Sequence, residues 1–204
     1  MTAPEVELRA TWHRVAGHQH DHLFDELCAR LREPHRRYHT AVHVMFVLRH
    51  LEPSLSSFPA ATADALRVAA LYHDAIYDPT ANGCANEAAS AALAAGVAEV
   101  LGFDPEHTRL VHQLVMATCH HAAEGSPAER ALTDADLAIL GADPSDYDAY
   151  VNGVRAEYAH VPDAAWRTGR SAVLEGLLAS PTLTARARAN LTAELARYRS
   201  CEYR

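Results

Sequence analysis

The sequence predicts an all-α fold, a single-domain helical bundle. Alanine is used heavily and runs of β-branched residues are scarce, which favours helix over strand almost throughout the chain. Apolar residues also recur at intervals of three and four, as they do on the buried face of a helix. The 204 residues include no linker rich in Gly, Ser or Pro, so one domain is expected.

In the first half of the chain, proline and glycine delimit the helices. An apolar stripe runs from Leu8 to Leu31 on one long helix, or on two short ones if Gly17 interrupts it. The same spacing predicts four further helices, over residues 37–51, about 60–75, 86–101 and 105–121. The stretch YDPTANG, residues 77–83, should be a loop.

In the second half, EGSP indicates a loop and LTDADLAILG a short helix. The segment YDAYVNGVRAEY carries tyrosine and valine at helical spacing, which is more typical of a core face than of a cofactor site. Pro162 is expected as the first residue of the next helix, and Leu191, Leu195 and Tyr198 define the last one.

The charge of the chain argues against two classes of partner. The formal net charge is -8 with acidic and basic residues interspersed, so there is neither a basic stripe for polymeric nucleic acid nor a polybasic patch for a membrane. All 18 basic residues are arginine, which excludes a Schiff-base lysine and the lysine of a phosphate-binding loop.

Cysteine spacing and the N-terminal segment predict a cytoplasmic protein. The four cysteines are far apart and form no CxxC pair, so reduced thiols are expected rather than a zinc ribbon or a disulfide framework. The N-terminal residues contain no apolar signal core, and no stretch reaches the roughly 18 apolar residues of a membrane span.

Histidines at two places could carry chemistry. His39 and His43 lie four residues apart in RRYHTAVHV, as metal ligands on one helical face often do, although a core or capping role would explain either singly. His73-Asp74 ends the apolar segment ALRVAALYHDAIY, where the histidine shares the apolar face and the aspartate needs a partner or a metal. The other His-Asp pair, in HQHDH, has no apolar neighbours and predicts a solvated patch.

Asp136 is a candidate partner for this pair. It falls on the apolar face of its segment, whereas Asp134 falls on another side and suits a helix cap. Two histidines and two carboxylates then form a set that suits a divalent transition metal, Mn, Fe, Co, Ni or Zn, and its members are His43, His73, Asp74 and Asp136. Open positions on such an ion hold water and activate it near neutral pH, so hydrolysis is the expected chemistry.

These motifs resemble the HD-domain superfamily of metal-dependent phosphohydrolases, which is named for its His-Asp pair. The ordered pattern is His43, then His73-Asp74, then Asp136, and YHTAVHV is similar to the YHNxxH signature of the cyclic-nucleotide phosphodiesterase branch. A bacterial group of predicted HD-superfamily phosphohydrolases is similar over about residues 25–195, in the segments RRYHTAVH, LYHDAIYDP, NEAAS, TCHH, LTDADLAILG, YVNGVRAEY, GRSAVL and RARANL. The chain departs from many members in reading AIYDP where they have Gly-Lys.

The resemblance implies a reaction and a role for each ligand. The protein would hydrolyse a small phosphomonoester or phosphodiester, with nucleotides among the candidates, by metal-activated hydroxide. The metal ligands would be His43, His73, Asp74 and Asp136, and His39 would protonate the leaving oxygen. A single HD-type domain would span residues 1–204, with the metal site within about 36–140 and the C-terminal helices, about 145–200, packed on it. Mg²⁺ at a second site and an oligomeric state stay open.

Further residues are candidates for a second metal or for supporting contacts. His121 lies between Asp74 and Asp136, the interval in which dinuclear members of the superfamily place extra ligands, and it shares a stripe with apolar residues. Glu87 belongs to the NE motif of the similar bacterial group, although a glutamate also suits the start of a helix.

Three arginines are candidates for binding a substrate phosphate. Arg37 precedes Tyr38 and His39 and offers bidentate geometry; an exposed arginine at a helix start is the alternative. Arg155 and Arg170 would line the pocket or brace it through ion pairs, and bracing is favoured.

Two other functions stay open at the level of sequence. Diiron oxygenases also bind metal at helical His/Asp clusters, and such a protein would require iron and take up O₂. A non-catalytic module would bind a nucleotide as a regulatory signal without turning it over.

Overall fold

The computed structural model describes residues 2–120 and 125–200, and these ranges are all-α, as the sequence predicts. The α-helices of the described ranges are α1 Ala3–Ala16, α2 Asp21–Leu31, α3 Ala41–Leu51, α4 Ala60–Tyr72, α5 Ala85–Val100, α6 Pro105–Ala117, α7 Pro127–Asp136, α8 Pro144–Glu157, α9 Asp163–Leu178 and α10 Ala185–Ser200. Short 3₁₀ helices cover His18–His20, Glu52–Ser57 and Leu137–Gly141. Among the helices described here, none is long and apolar enough to cross a membrane.

Contacts along the chain divide it into two compact units, Met1–Asp136 and Leu137–Arg204. The first unit contains α1 to α7, and the second contains α8 to α10 with the last 3₁₀ helix. The single domain expected over residues 1–204 stays a prediction.

Helix α4 is the centre of the first unit. It packs against α1, α3, α5, α6 and α7. Its residues Ala65, Ala69 and Ala70 are fully buried, and their small side chains let the neighbouring helices approach closely. Trp12 of α1 packs on Tyr72, the last residue of α4, with ring centroids 6.2 Å apart. The C-terminal end of α4, where His73 and Asp74 follow, is therefore held in the interior of the unit.

Helix α3 begins later than the predicted residue 37. Its first residue is Ala41, because the side chain of Thr40 accepts a hydrogen bond from the backbone N–H of Val42 and caps the helix. The amide of Thr40 also bonds to the carbonyl of Tyr38, at 2.7 Å, which closes a turn before the helix. His39 therefore lies in this turn and not on the helix that carries His43.

Other helix ends show how local chemistry sets boundaries. The predicted end of α5 at Gly102 is confirmed: Gly102 has φ 81°, and the N–H groups of Gly102 and Phe103 bond to the carbonyls of Glu99 and Ala98. Helix α7 begins at Pro127, earlier than predicted, so Asp134 lies inside it and caps nothing.

Two further boundaries differ by a few residues. Helix α6 ends at Ala117, before the predicted residue 121. Pro162 has φ -57° and ψ 145°, so it is the cap that precedes α9 and not its first helical residue.

The expectation of reduced cysteines is wrong for one pair, since Cys84 and Cys119 form a disulfide with 5.6 Å between their Cα atoms. The two residues are 35 positions apart, and only the packing of α5 against α6 brings them together. Cys28 is a buried thiol, and burial raises its pKa to about 11.

The second unit is organised by a buried ion pair. Arg170 of α9 donates from Nε to Glu194 of α10 over 2.9 Å, and both side chains are almost fully buried. Tyr147 donates its hydroxyl proton to the same carboxylate, and Arg170 donates to the hydroxyl of Tyr150 over 3.0 Å. The tyrosine stripe of α8 thus serves the core of this unit, as its spacing predicts.

We expect Glu194→Ala to lower the free energy of unfolding by about 3–5 kcal/mol, because it leaves the buried Arg170 guanidinium without its carboxylate. The control is Glu175→Ala, which removes the exposed pair of Glu175 with Arg199 and should cost less than about 1 kcal/mol. Urea unfolding followed by circular dichroism measures both values. Equal losses in the two variants would contradict the importance of the buried pair.

Candidate metal centre

Three helices of the first unit bring four predicted metal ligands to one place. His43 lies in the first turn of α3, His73 directly follows the last residue of α4, and Asp136 is the last residue of α7. Asp74 comes immediately after His73 and is positioned by the same helix end. Residues more than 90 positions apart in sequence therefore meet because α3 and α4 both pack against α7.

The reactive atoms of these side chains lie at the spacing of ligands around one ion. The Nε2 atom of His43 is 3.0 Å from that of His73 and 3.2 Å from one oxygen each of Asp74 and Asp136. The Nε2 atom of His73 is 3.2 Å from Asp74 and 3.7 Å from Asp136. Metal–ligand bonds of about 2.0–2.2 Å place neighbouring ligand atoms about 3.0–3.5 Å apart.

The cluster of His43, His73 and Asp136 could therefore hold a metal ion. Its three ligand atoms all lie within 4.8 Å of one another. Asp74 falls outside this mutually close set, although its Oδ2 is 3.2 Å from both imidazoles. Asp74 is therefore a fourth group at the edge of this three-residue cluster.

The histidines form the floor of the site and the carboxylates form its opening. The side chains of His43 and His73 are 2% and 1% exposed, whereas those of Asp74 and Asp136 are 18% and 14% exposed. A ligand from solvent would therefore reach the carboxylates first.

The ring of His73 is oriented for metal binding by its other nitrogen. Its Nδ1 atom is 2.9 Å from the carbonyl oxygen of Ala70, an acceptor only, so Nδ1 carries the proton. In the neutral ring Nε2 is then an unprotonated lone-pair donor that faces the cluster, which is the arrangement usual for metal-binding histidines. The Nδ1 atom of His43 is also buried, but no residue in the described ranges is hydrogen-bonded to it.

Without a metal, the carboxylates favour a proton on the imidazoles. Burial opposes charge on His43, but Asp136 and Asp74 outweigh it and raise the pKa of His43 to about 9. Burial likewise opposes ionisation of Asp74, yet the imidazoles of His73 and His39 hold its pKa well below the ordinary value. Two protonated Nε2 atoms 3.0 Å apart would repel each other, so the space between them suits one proton or one cation.

His39 lies beside the cluster, as the sequence predicts, although it precedes the helix. Its ring centroid is 5.5 Å from that of His43 and 4.3 Å from that of Tyr77. Tyr38 packs against both histidines, at 5.0 Å from His39 and 4.7 Å from His43. A half-buried imidazole is thus held by aromatic neighbours at the edge of the site.

Arg36 supports the backbone of the site. The sequence motifs pointed to its neighbour Arg37 and not to Arg36. The buried guanidinium of Arg36 donates to the carbonyl oxygens of His39, Asp74 and Ala75, at 3.0, 2.8 and 3.1 Å. A single side chain therefore ties the turn that carries His39 to the backbone of the His-Asp pair. Nothing in the RR dipeptide indicates which arginine turns inward.

Other predicted site residues of the first unit lie in different surroundings. Arg37 is exposed and donates to the carbonyls of Pro34 and Arg36. Glu87 lies in the first turn of α5, and its buried Oε2 atom has no hydrogen-bond partner within the described part of the chain. His121, the candidate second ligand, lies outside the described residues.

The two remaining arginines belong to the second unit and form hydrogen bonds and ion pairs within it, so their predicted bracing of the pocket stays a prediction. Arg155 donates to the carbonyls of Tyr158 and Val161 and to the carboxylate of Asp163. Arg170 is buried in its pair with Glu194. Both guanidinium groups thus support local structure.

His18 and Asp21 of the HQHDH segment form a second cluster with His13 of α1, on the surface of the first unit. His13 Nε2 is 2.8 Å from an oxygen of Asp21, and its ring lies 3.9 Å from that of His18. These three residues also have ligand atoms within 4.8 Å of one another, but Arg9 contacts the other oxygen of Asp21 at 3.3 Å. A guanidinium already offsets the negative charge of this carboxylate, and the solvated patch stays a prediction.

No protein-family model matches the chain, and no curated protein or solved structure matches it either. What the site can do therefore follows from its residues, its geometry and the sequence motifs.

We expect Arg36→Lys to weaken divalent metal binding about 10–100-fold, the usual effect of losing a group that positions metal ligands. Lysine keeps the charge but cannot donate to three carbonyls in the planar geometry of a guanidinium. Isothermal titration with Mn²⁺ or Zn²⁺ measures the affinity, and circular dichroism checks that the variant folds.

The matched control is Arg37→Lys, the same change at the adjacent exposed position. It should alter the affinity by less than about twofold, because Arg37 is exposed and the hydrogen bonds it donates to Pro34 and Arg36 do not reach the His-Asp pair. A similar loss in both variants would show that Arg36 has no special role.

Proposed function

We propose that this chain is a metal-dependent phosphohydrolase that cleaves a small phosphoester, with nucleotides among the candidate substrates. The observation that carries the proposal is the convergence of His43, His73 and Asp136 on one partly open space, with Asp74 and His39 at its edge. These are the residues that the HD-type motifs of the sequence single out.

The proposed ligands are His43, His73 and Asp136, with Asp74 as the fourth. Two imidazole nitrogens and two carboxylate oxygens suit Mn, Fe, Co, Ni or Zn as a divalent ion. Such an ion, when bound, supplies activated water near neutral pH and offsets charge on phosphate oxygens. The orphaned carboxylate oxygen of Glu87 supports a further cation near the start of α5, for which Mg²⁺ is a candidate.

The protein's own groups complete the reaction. Asp74 is more exposed than the histidines, so its carboxylate is proposed to accept a hydrogen bond from the attacking water and orient it toward phosphorus. His39 is proposed to donate an imidazole proton to the departing oxygen on the opposite side of the phosphorus. A donor placed in this way accelerates the reaction about 10²–10⁴-fold.

Arg37 is the favoured candidate for the substrate phosphate among the three arginines. It is the one that belongs to the same unit as the metal cluster, and it lies two residues before His39. Its exposed guanidinium could meet phosphate oxygens at the opening of the site.

We expect the protein, purified without a histidine tag, to contain a divalent transition metal that Asp136→Asn loses. The substitution removes the charge of one ligand and keeps its size. Elemental analysis by mass spectrometry measures the metal, and hydrolysis of bis(p-nitrophenyl) phosphate and p-nitrophenyl phosphate should fall with it.

The control is Asp134→Asn, which changes an exposed carboxylate two residues earlier on the same helix. It should retain the metal and the activity. Metal content that is equal in the two variants, or a wild-type protein that binds no added divalent ion, would contradict the proposed site.

We expect His39→Ala to retain the metal and to lose about 10²–10⁴-fold in kcat, because it removes the proton donor and no proposed ligand. The loss should be smaller for a p-nitrophenyl ester, whose leaving oxygen needs little protonation, than for an alkyl phosphoester. His50→Ala, on the exposed side of α3, is the control and should leave kcat unchanged. Loss of metal in His39→Ala would instead make His39 a ligand.

A further inference from the structure

A second cluster of metal-binding side chains joins two neighbouring helices of the first unit. Cys84 immediately precedes α5, and Cys119 and His120 follow the end of α6. Because α5 packs along α6, the start of one helix lies beside the end of the other. This cluster shares no residue with His43, His73, Asp74 and Asp136, and the inference drawn from it goes beyond the proposed function.

The imidazole of His120 lies against both sulfur atoms of the disulfide. Its Nε2 atom is 3.4 Å from Sγ of Cys84 and 3.7 Å from Sγ of Cys119. The three ligand atoms lie within 4.8 Å of one another, and both cysteines are only half-buried. Zinc bonds of about 2.3 Å to sulfur and about 2.0 Å to nitrogen would place sulfur and nitrogen about 3.5 Å apart.

We propose that, when the disulfide is reduced, Cys84, Cys119 and His120 bind a thiophilic divalent ion such as Zn²⁺. Two thiolates and one imidazole are a soft ligand set that prefers zinc over magnesium or calcium. The sulfur atoms separate by side-chain rotation to about 3.8 Å, the distance between two thiolates on one tetrahedral ion. Their Cα atoms, 5.6 Å apart, allow this without movement of the helices.

The disulfide and the metal complex exclude each other, because each sulfur forms either the S–S bond or a metal bond. A dithiol or phosphine reductant adds two electrons and two protons to the S–S bond and gives two thiols. The ion then replaces the two thiol protons, which pass to solvent. Hydrogen peroxide takes two electrons from the two thiolates and two protons from solvent and is reduced to two water molecules, while the sulfur atoms re-form the S–S bond and release the ion.

The test uses Co²⁺, because a thiolate bound to cobalt gives a charge-transfer absorption in the near ultraviolet that nitrogen and oxygen ligands do not. The protein carries Cys201→Ser, so that the cysteine outside the described residues contributes no thiolate. It is reduced with a phosphine under anaerobic conditions. Titration with Co²⁺ should develop the thiolate band until one thiolate-bound Co²⁺ is present per chain, and added peroxide should abolish the band. Cys84→Ser and Cys119→Ser should each lose the band, and His120→Ala should weaken Co²⁺ binding at least about tenfold.

Asp136→Asn is the control that separates this cluster from the catalytic site. The band should persist in that variant, because His43, His73 and Asp136 provide no sulfur. Reduced protein without a thiolate band would overturn the proposal, and so would a band of full intensity in both serine variants. Cys28, the thiol outside this pair in the described ranges, is buried and should contribute no band in any of these variants.

Discussion

Two imidazoles and two carboxylates share one small and mostly buried space, and this crowding demands positive charge at its centre. Carboxylates such as Asp74 and Asp136 are costly to bury without a counter-charge. In the absence of metal a proton on an imidazole supplies the positive charge, and the two carboxylates therefore raise the pKa of His43 to about 9 despite its burial. A divalent ion would offset the negative charge of the carboxylates more fully than a proton, because one ion can contact several of these groups at once. This requirement for positive charge is the physical reason why the cluster of His43, His73 and Asp136 could hold a metal ion.

Keeping such groups together requires a scaffold that resists their separation. Helix α4 supplies it through fully buried alanines, which let five other helices close around its length. Arg36 supplies it through three carbonyl contacts that join the His39 turn to the His-Asp pair. The packing and the hydrogen bonds act on different parts of the same site. The packing fixes the position of the end of α4, and the Arg36 guanidinium fixes the backbone of the His39 turn and of the residues that follow His73.

The sequence was a good guide to helices and to ligand types, and a poorer guide to contacts between distant segments. The spacing of apolar residues placed His73 and Asp136 on inward faces, because the period of a helix can be read from local residues. The prediction that His39 lies on α3 was wrong. The side chain of Thr40 caps α3, so the helix begins at Ala41 and His39 lies in the turn before it. The pairing of Cys84 with Cys119 and the inward turn of Arg36 depend on packing partners that no local pattern reveals.

By itself the sequence determined the all-α fold and most helix boundaries to within a few residues, and it predicted the set of His43, His73, Asp74 and Asp136, because periodicity, capping and residue chemistry are local properties. Only the tertiary structure decided that the ligand atoms of His43, His73 and Asp136 lie within 4.8 Å of one another with Asp74 beside both imidazoles, that Arg170 braces a second unit, and that two cysteines and a histidine form another cluster. Distances between atoms of remote residues follow from how helices pack. That packing is fixed by the summed fit of many side chains across the core, which no single stretch of sequence contains.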